Sequence, residues 1–244
     1  MKRTLNIAII ASAVGLFLAN AFFHIKQAGS FPAIAPLNAD LYWIFYPNMT
    51  FVKRSLFAGS LPLWNPYPST GEPMYAAMQC VLLYPFNWAL LFLDVPSALL
   101  VIQASAVLVG MLGMVLYLKF LRVHLAGIIL AAIVFGYSVH YQAFNCVLGS
   151  TYAWLPIIFW SAHRLFDKPS FSRAAILAFA LSLCFLGGMP QYLFYIYLTL
   201  LVYLAVLALS SRAMLGAKSL LLRAALIIAA VVLMGGLVAA QLLP

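Results

Sequence analysis

Two acids, two adjacent cations and a run of aromatic and amide side chains lie close together in the first third of the chain, and these are the residue types that could do chemistry. Asp40 is the strongest candidate. A carboxylate can take a proton from an acceptor hydroxyl as general base, or help hold a divalent cation. It also stands where a helix should begin, and there the dipole favours an acid with no further role. Lys53 and Arg54 follow. Arg grips phosphate at two points and Lys supplies a point charge, while both side chains can equally snorkel to lipid headgroups. Trp64 and Tyr67 offer flat faces to sugar rings, although Trp and Tyr also populate membrane interfaces. Asn65, Glu72 and Gln79 add polar groups nearby, and His140, Gln142, Asn145, Gln191 and Gln241 add more from the remainder of the chain. Each of these alone also reads as a polar residue at a helix end reaching toward water. Soluble-enzyme signatures are missing: there is no Gly-rich phosphate loop, no zinc spacing and no nucleophile elbow. Asn48-Met49-Thr50 matches the glycosylation triplet only weakly, beside Pro47 on an expected helix.

The elements that must position these residues follow from an apolar composition. Of 244 residues, 66% are hydrophobic and 7% charged, with a mean hydropathy of +1.08. Soluble domains carry about 25% charged residues, so an ordinary water-soluble fold is excluded. The net charge of +9 is spread too thinly for the dense basic surface that nucleic acid requires. A polytopic membrane protein remains. A spanning helix needs roughly 20 mostly apolar residues, and seven segments qualify: 5–24, 98–118, 125–144, 148–166, 173–189, 191–210 and 224–243. They must be helices, because lipid offers no partner to backbone polar groups. The first segment, with Lys2, Arg3 and Ala19-Asn20-Ala21, reads as a cleavable signal peptide or a retained anchor. Its apolar run continues through Phe22 and Phe23, which favours the anchor.

With the amino terminus in the cytoplasm, ten of the thirteen Lys and Arg residues fall inside and only Lys26, Lys53 and Arg54 outside, as the positive-inside rule requires. Three cysteines form no metal spacing and no disulfide framework, and a Cys80–Cys146 bridge outside the membrane is the one pairing left open. Residues 25–97 are the one long non-spanning region. They hold nine of the thirteen prolines and many aromatic residues, so the expectation is an ordered cap of short interfacial helices hugging the membrane. Within it, residues 39–58 read as a helix with Asn38 as N-cap, Gly59 as its stop and Pro47 as a kink. Residues 61–73 cannot be regular, and 74–93 read as interfacial or re-entrant.

At Asp40-Leu-Tyr-Trp-Ile-Phe-Tyr-Pro47, Gly59-Ser-Leu-Pro-Leu-Trp-Asn-Pro66, Gly71-Glu-Pro73, Gln79 and Tyr84-Pro-Phe-Asn87, the chain resembles the bacterial YfhO-like membrane protein family. Trp154-Leu-Pro156, Gly188-Met-Pro-Gln191 and Gln241-Leu-Leu-Pro244 extend the similarity in the same order. The resemblance implies an all-α GT-C type module of the bacterial cytoplasmic membrane, a single domain over 1–244. It implies sugar transfer from a polyprenyl-phosphate donor to a cell-envelope acceptor on the outer face, with Asp40 in the catalytic position. In that reading Asp40 is the base or, if a divalent cation takes part, its ligand. Lys53 or Arg54 compensates phosphate charge, Glu72, His140 and Gln191 position substrate, and Trp64 packs on a sugar face. Family members are generally much longer, so the resemblance implies an amino-terminal portion or a shortened form, and they often carry His where this chain has Met189. The alternatives are a non-catalytic membrane scaffold or lipid-binding remnant of the same fold and, third, a transporter or flippase. The last predicts polar residues deep in the spans, where Gln103 stands nearly alone.

Overall fold

A computed structural model describes residues 41–68, 70–78, 82–142, 146–211 and 215–242. The expected first span and Asp40, Gln79 and Asn145 lie outside the described residues, as does Cys80, on which the expected Cys80–Cys146 bridge depends. Among the described residues every regular element is a helix, apart from one isolated two-residue bridge.

The cap opens with a π-helical turn, Leu41–Phe45, that runs directly into α1 (Tyr46–Phe57). Pro47 has no N–H, and its ring would crowd the carbonyl four residues back in a continuous α-helix. The wider turn before it absorbs that conflict, so the expected kink takes the form of a change in helix type. Gly59, at φ +72°, ends the helix as expected, because the left-handed conformation there favours glycine. The loop that follows closes on itself: Asn65 and Glu72 exchange backbone hydrogen bonds of 2.8 and 2.9 Å. The segment 74–93 is turns followed by a 3-10 helix, Pro85–Leu91.

The bundle comprises α2 (Val95–Phe120), α3 (Leu125–Gln142), α4 (Cys146–Tyr152), α5 (Leu155–Asp167), α6 (Phe171–Leu186), α7 (Pro190–Ser211), α8 (Ala217–Leu237) and the short α9 (Ala239–Leu242). Three of these, α2, α7 and α8, are long and apolar enough to cross a membrane, with hydropathies of 2.4, 2.2 and 2.4. Their outward faces carry Leu108, Phe194, Leu201, Val206, Ile228 and Val232, all more than half exposed except Leu108 at 50%. So much unpaired apolar surface is foreign to a water-soluble monomer and fits a lipid surround. The centre is α6, which buries Ala174, Leu177, Ala178, Leu181 and Cys184 against α5 and α8. At 16 residues it reaches only about 24 Å, so its neighbours shield it more than lipid does.

The fourth apolar segment differs from expectation. Residues 148–166 form two helices, α4 and α5, broken at Ala153 and Trp154. Pro156 lacks the N–H that a continuous helix would use, and belongs in the first turn of a new one. The last segment is likewise interrupted, at Val238 between α8 and α9. Both breaks lie at the end of the bundle that faces the cap.

Candidate functional site

Three contacts fasten the cap to one end of the bundle. Tyr84, fully buried, accepts a 3.1 Å hydrogen bond from the Trp154 indole and donates to the Ser150 carbonyl at 3.5 Å. Burial pushes its phenol well above the ordinary tyrosine range, so it stays a neutral donor. The buried Gln241 donates from Nε2 to the Met78 carbonyl at 3.4 Å, and its Oε1 has no hydrogen-bond partner among the described residues. Beside them the turn between α6 and α7 lies on α4: Met189 N–H donates to Thr151 Oγ1 at 3.1 Å. A Cβ on Gly187 would fall 2.7 Å from the Thr151 nitrogen, which is why no larger residue fits there.

The opposite end of the bundle carries the cations. Arg223, buried, donates to the Phe166 carbonyl at 2.6 Å and to Asp167 and Ser219 carbonyls at 3.5 and 3.0 Å. Arg173 donates to the carbonyls of Arg164 and Lys168 at 2.9 and 2.7 Å. Positive charge is thereby placed on the exposed carbonyls where α5 ends, which the helix dipole favours. Tyr203 bridges His163 Nδ1 at 2.6 Å and Tyr117 at 3.0 Å near the same end. The sequence reading overlooked this polar triad; its only signal was a His and two Tyr within apolar runs.

The cap's two cations point different ways. Lys53 donates to the Leu93 carbonyl, where the chain leaves the 3-10 helix, and lies 5.6 Å from the Phe57 ring centre. Arg54 instead lines a groove of about 710 Å³ between α1 and the loop at 60–68. Residues 46, 47, 50, 51, 54 and 55 form its wall along one face of α1, as helical spacing dictates. Trp43 and Tyr67, 75% and 80% exposed, stand at its edges, with the amides of Asn48 and Asn65 between them. The Arg54 guanidinium is exposed and makes no hydrogen bond or ion pair with a described residue.

The remaining expected site residues are scattered. Asn65 is buried and committed to the cap: its Nδ2 donates to Asn48 Oδ1 at 3.2 Å and its Oδ1 accepts from the Tyr67 N–H at 3.2 Å. Trp64 lies against Gly71, where a Cβ would come within 2.5 Å of Nε1, and is not part of the groove wall. Glu72 is half-buried and is joined to Asn65 through its backbone. Gln191 is exposed in the first turn of α7 and donates to the Tyr195 hydroxyl at 3.1 Å. His140 lies in the last turn of α3, with its side chain outside the described residues. Among the described residues no group of three or more acids, histidines or cysteines is placed to hold a metal ion. Among the described residues the groove wall contains no carboxylate. Trp43 is the groove residue that spacing alone did not single out; its position four residues before Pro47 was the available signal. Comparisons of the chain with known protein families, with curated proteins and with solved structures found no match.

Proposed function

We propose that the chain is the membrane module of a glycosyltransferase. It crosses the bacterial cytoplasmic membrane seven times from a cytoplasmic amino terminus and moves a sugar from a polyprenyl-phosphate donor to a cell-envelope acceptor on the outer face. The observation that carries this reading is the Arg54 groove: a guanidinium that no described residue engages, two exposed aromatic faces and the Asn48 amide in one concavity. Guanidinium suits phosphate, aromatic faces suit sugar rings, and amides suit hydroxyls. Asp40 immediately precedes the helical turn that leads into this wall. In the proposed mechanism Asp40 takes the proton from the acceptor hydroxyl as its oxygen attacks the anomeric carbon. The bond to phosphate breaks, and Arg54 stabilises the charge that grows on the departing lipid phosphate. Attack from the face opposite the phosphate inverts the anomeric centre. A divalent cation, if used, would share Asp40 with the donor phosphate. Glu72, Gln79, His140 and Gln191 are then candidates for holding the acceptor, and Trp64 for contacting it beyond the groove.

Support also comes from the separation of charge: the cap caps the bundle end remote from Arg173 and Arg223, which matches an outer site and cytoplasmic cations. The test is sugar transfer in membranes containing the wild-type chain, Asp40→Asn or Arg54→Gln, with a radiolabelled polyprenyl-phosphate sugar as donor. Asp40→Asn should lower transfer by roughly 10²-fold or more, and Arg54→Gln by a comparable factor. Undiminished transfer by Asp40→Asn would remove it as the base. A second reading, a non-catalytic lipid-binding scaffold, is favoured by one feature, a groove wall without a carboxylate among the described residues. Lipid-phosphate binding without transfer by the wild-type chain would select it.

A further inference from the structure

The face of α1 opposite the Arg54 groove has its own concavity. Val52 and Leu56, nearly half a turn away from Arg54 around the helix, form with Trp88 and Leu91 an apolar slot of about 240 Å³. Trp88 and Leu91 are three residues apart in a 3-10 helix, where such side chains eclipse one another, so both face the slot. Phe92, 84% exposed, continues the apolar rim. Three residues later α2 begins, one of the three helices of membrane-spanning length. The slot therefore opens where hydrocarbon gives way to headgroups, the depth at which exposed Trp is ordinarily found.

Two opposite charges lie next to the slot in the chain: Lys53 adjoins Val52 of its wall, and Asp94 follows Leu91 by three residues. The Lys53 ammonium is held on the Leu93 carbonyl, next in sequence to Asp94. An ammonium has three donors, and one is used. Asp94 is exposed and accepts from the Ser97 N–H at 3.4 Å through Oδ2 as the N-cap of α2. The Ser97 side chain first, then the backbone N–H groups of the cap and least the Lys53 charge, hold its carboxyl below the ordinary range, so it is ionised at neutral pH. The two side chains form no ion pair with each other.

A ligand that answers all three features carries a hydrocarbon chain, an anion and a cation a short distance apart. We infer that the slot is a seat for one zwitterionic bilayer phospholipid with a primary-ammonium headgroup, its acyl chain between Leu56 and Trp88, its phosphate on Lys53 and its ammonium on Asp94. The lipid ties the cap to the outer leaflet and lies across α1 from the groove. The inference is independent of sugar transfer, since a chain with no transferase activity would keep this seat.

The test is native mass spectrometry of the full chain in detergent, equilibrated with equal amounts of phosphatidylethanolamine, phosphatidylglycerol and phosphatidylcholine of identical acyl chains. One phosphatidylethanolamine should be retained in preference to the other two. Lys53→Met and Asp94→Asn should each weaken its retention roughly five-fold, and Leu56→Trp, which fills the slot, should abolish it. Asn is as good an N-cap as Asp, so Asp94→Asn keeps α2 intact and decides the matter if Leu56→Trp melts early. Equal retention of the three headgroups would overturn the inference, as would retention indifferent to Asp94→Asn. Displacement of the phospholipid by an equal amount of a polyisoprenyl monophosphate would also overturn it, and would hand the slot to the donor lipid.

Discussion

The joint between cap and bundle turns on one hydroxyl, and Tyr84→Phe removes it with almost no change of shape. The Trp154 indole N–H then loses its acceptor in a site where Tyr84 itself has no exposed surface. A net hydrogen bond is worth about 1 kcal/mol and a stranded buried donor adds about 1–3 kcal/mol. The weak 3.5 Å bond to Ser150 contributes little, so the loss should be about 2 kcal/mol. For a chain of this size that is about 4–8 °C in melting temperature, readable by intrinsic fluorescence in detergent. Trp154→Phe alone should destabilise too, and the double variant should fall short of the sum by about 1 kcal/mol, because the two groups share one bond. Alkali supplies an independent readout. The folded state holds the Tyr84 phenol above its ordinary 10.0, so its stabilisation is complete below the unfolded value and is lost as pH rises past it. The melting difference between wild type and Tyr84→Phe should therefore be constant near neutrality and shrink above about pH 10. Additive single effects, or a difference that ignores alkali, would refute the assignment of this hydroxyl as the bolt.

Gly187→Ala forces a Cβ against backbone atoms of Thr151 at 2.7 and 2.8 Å, which cannot swing aside as a side chain can, and overpacking of that kind should destabilise by about 1–3 kcal/mol. Gly235→Ala, with no atom within 4 Å of its new Cβ, is the control and should be neutral or stabilising in a thermal melt. For topology, Ser60→Cys and Lys168→Cys, both exposed and at opposite ends of the molecule, can be probed in a background lacking Cys80 and Cys146. A membrane-impermeant maleimide should label position 60 in intact cells and position 168 only after permeabilisation; labelling of both from one side would sink the opposed-ends reading.

Helix positions were legible because lipid and protein interiors both demand apolar residues, and hydropathy reports that demand directly. Six of the seven expected segments correspond to helices or broken helices among the described residues. What hydropathy could not register is where such a segment breaks. The interruption at Ala153 and Trp154 is set by a proline at 156 together with tertiary partners, Tyr84 and Met189, that lie far away in sequence. The site was less legible for a related reason. Residue type suggested that Trp64, Asn65 and Glu72 would face a ligand, yet Asn65 and Glu72 close the cap loop and Trp64 covers Gly71. A polar or aromatic side chain in a proline-rich loop has backbone to satisfy before it has ligands to bind, and only the fold reveals which need it meets.

The cations carry the argument furthest. The positive-inside bias explains why Arg and Lys gather at one end but leaves Lys53 and Arg54 without a reason to stand in the cap. Treated as a pair, both would be phosphate ligands. The helix divides them, because neighbours in sequence are about 100° apart around an α-helix. Lys53 meets the Leu93 carbonyl and thereby ties α1 to the segment leading into α2, a structural role that places its charge on the slot side of α1 and away from the groove. Arg223 and Arg173, at the far end, likewise answer helix carbonyls. Arg54 is different: it is exposed on a concave wall, and no described residue takes its charge. An anion supplied from outside the described structure is then what the phosphate proposal requires of this one position. The proposal accordingly predicts an asymmetry. Arg54→Gln should weaken sugar transfer while leaving the cap seated, whereas Lys53→Met should loosen the cap itself, seen as a lower melting temperature with the Arg54 groove chemistry intact.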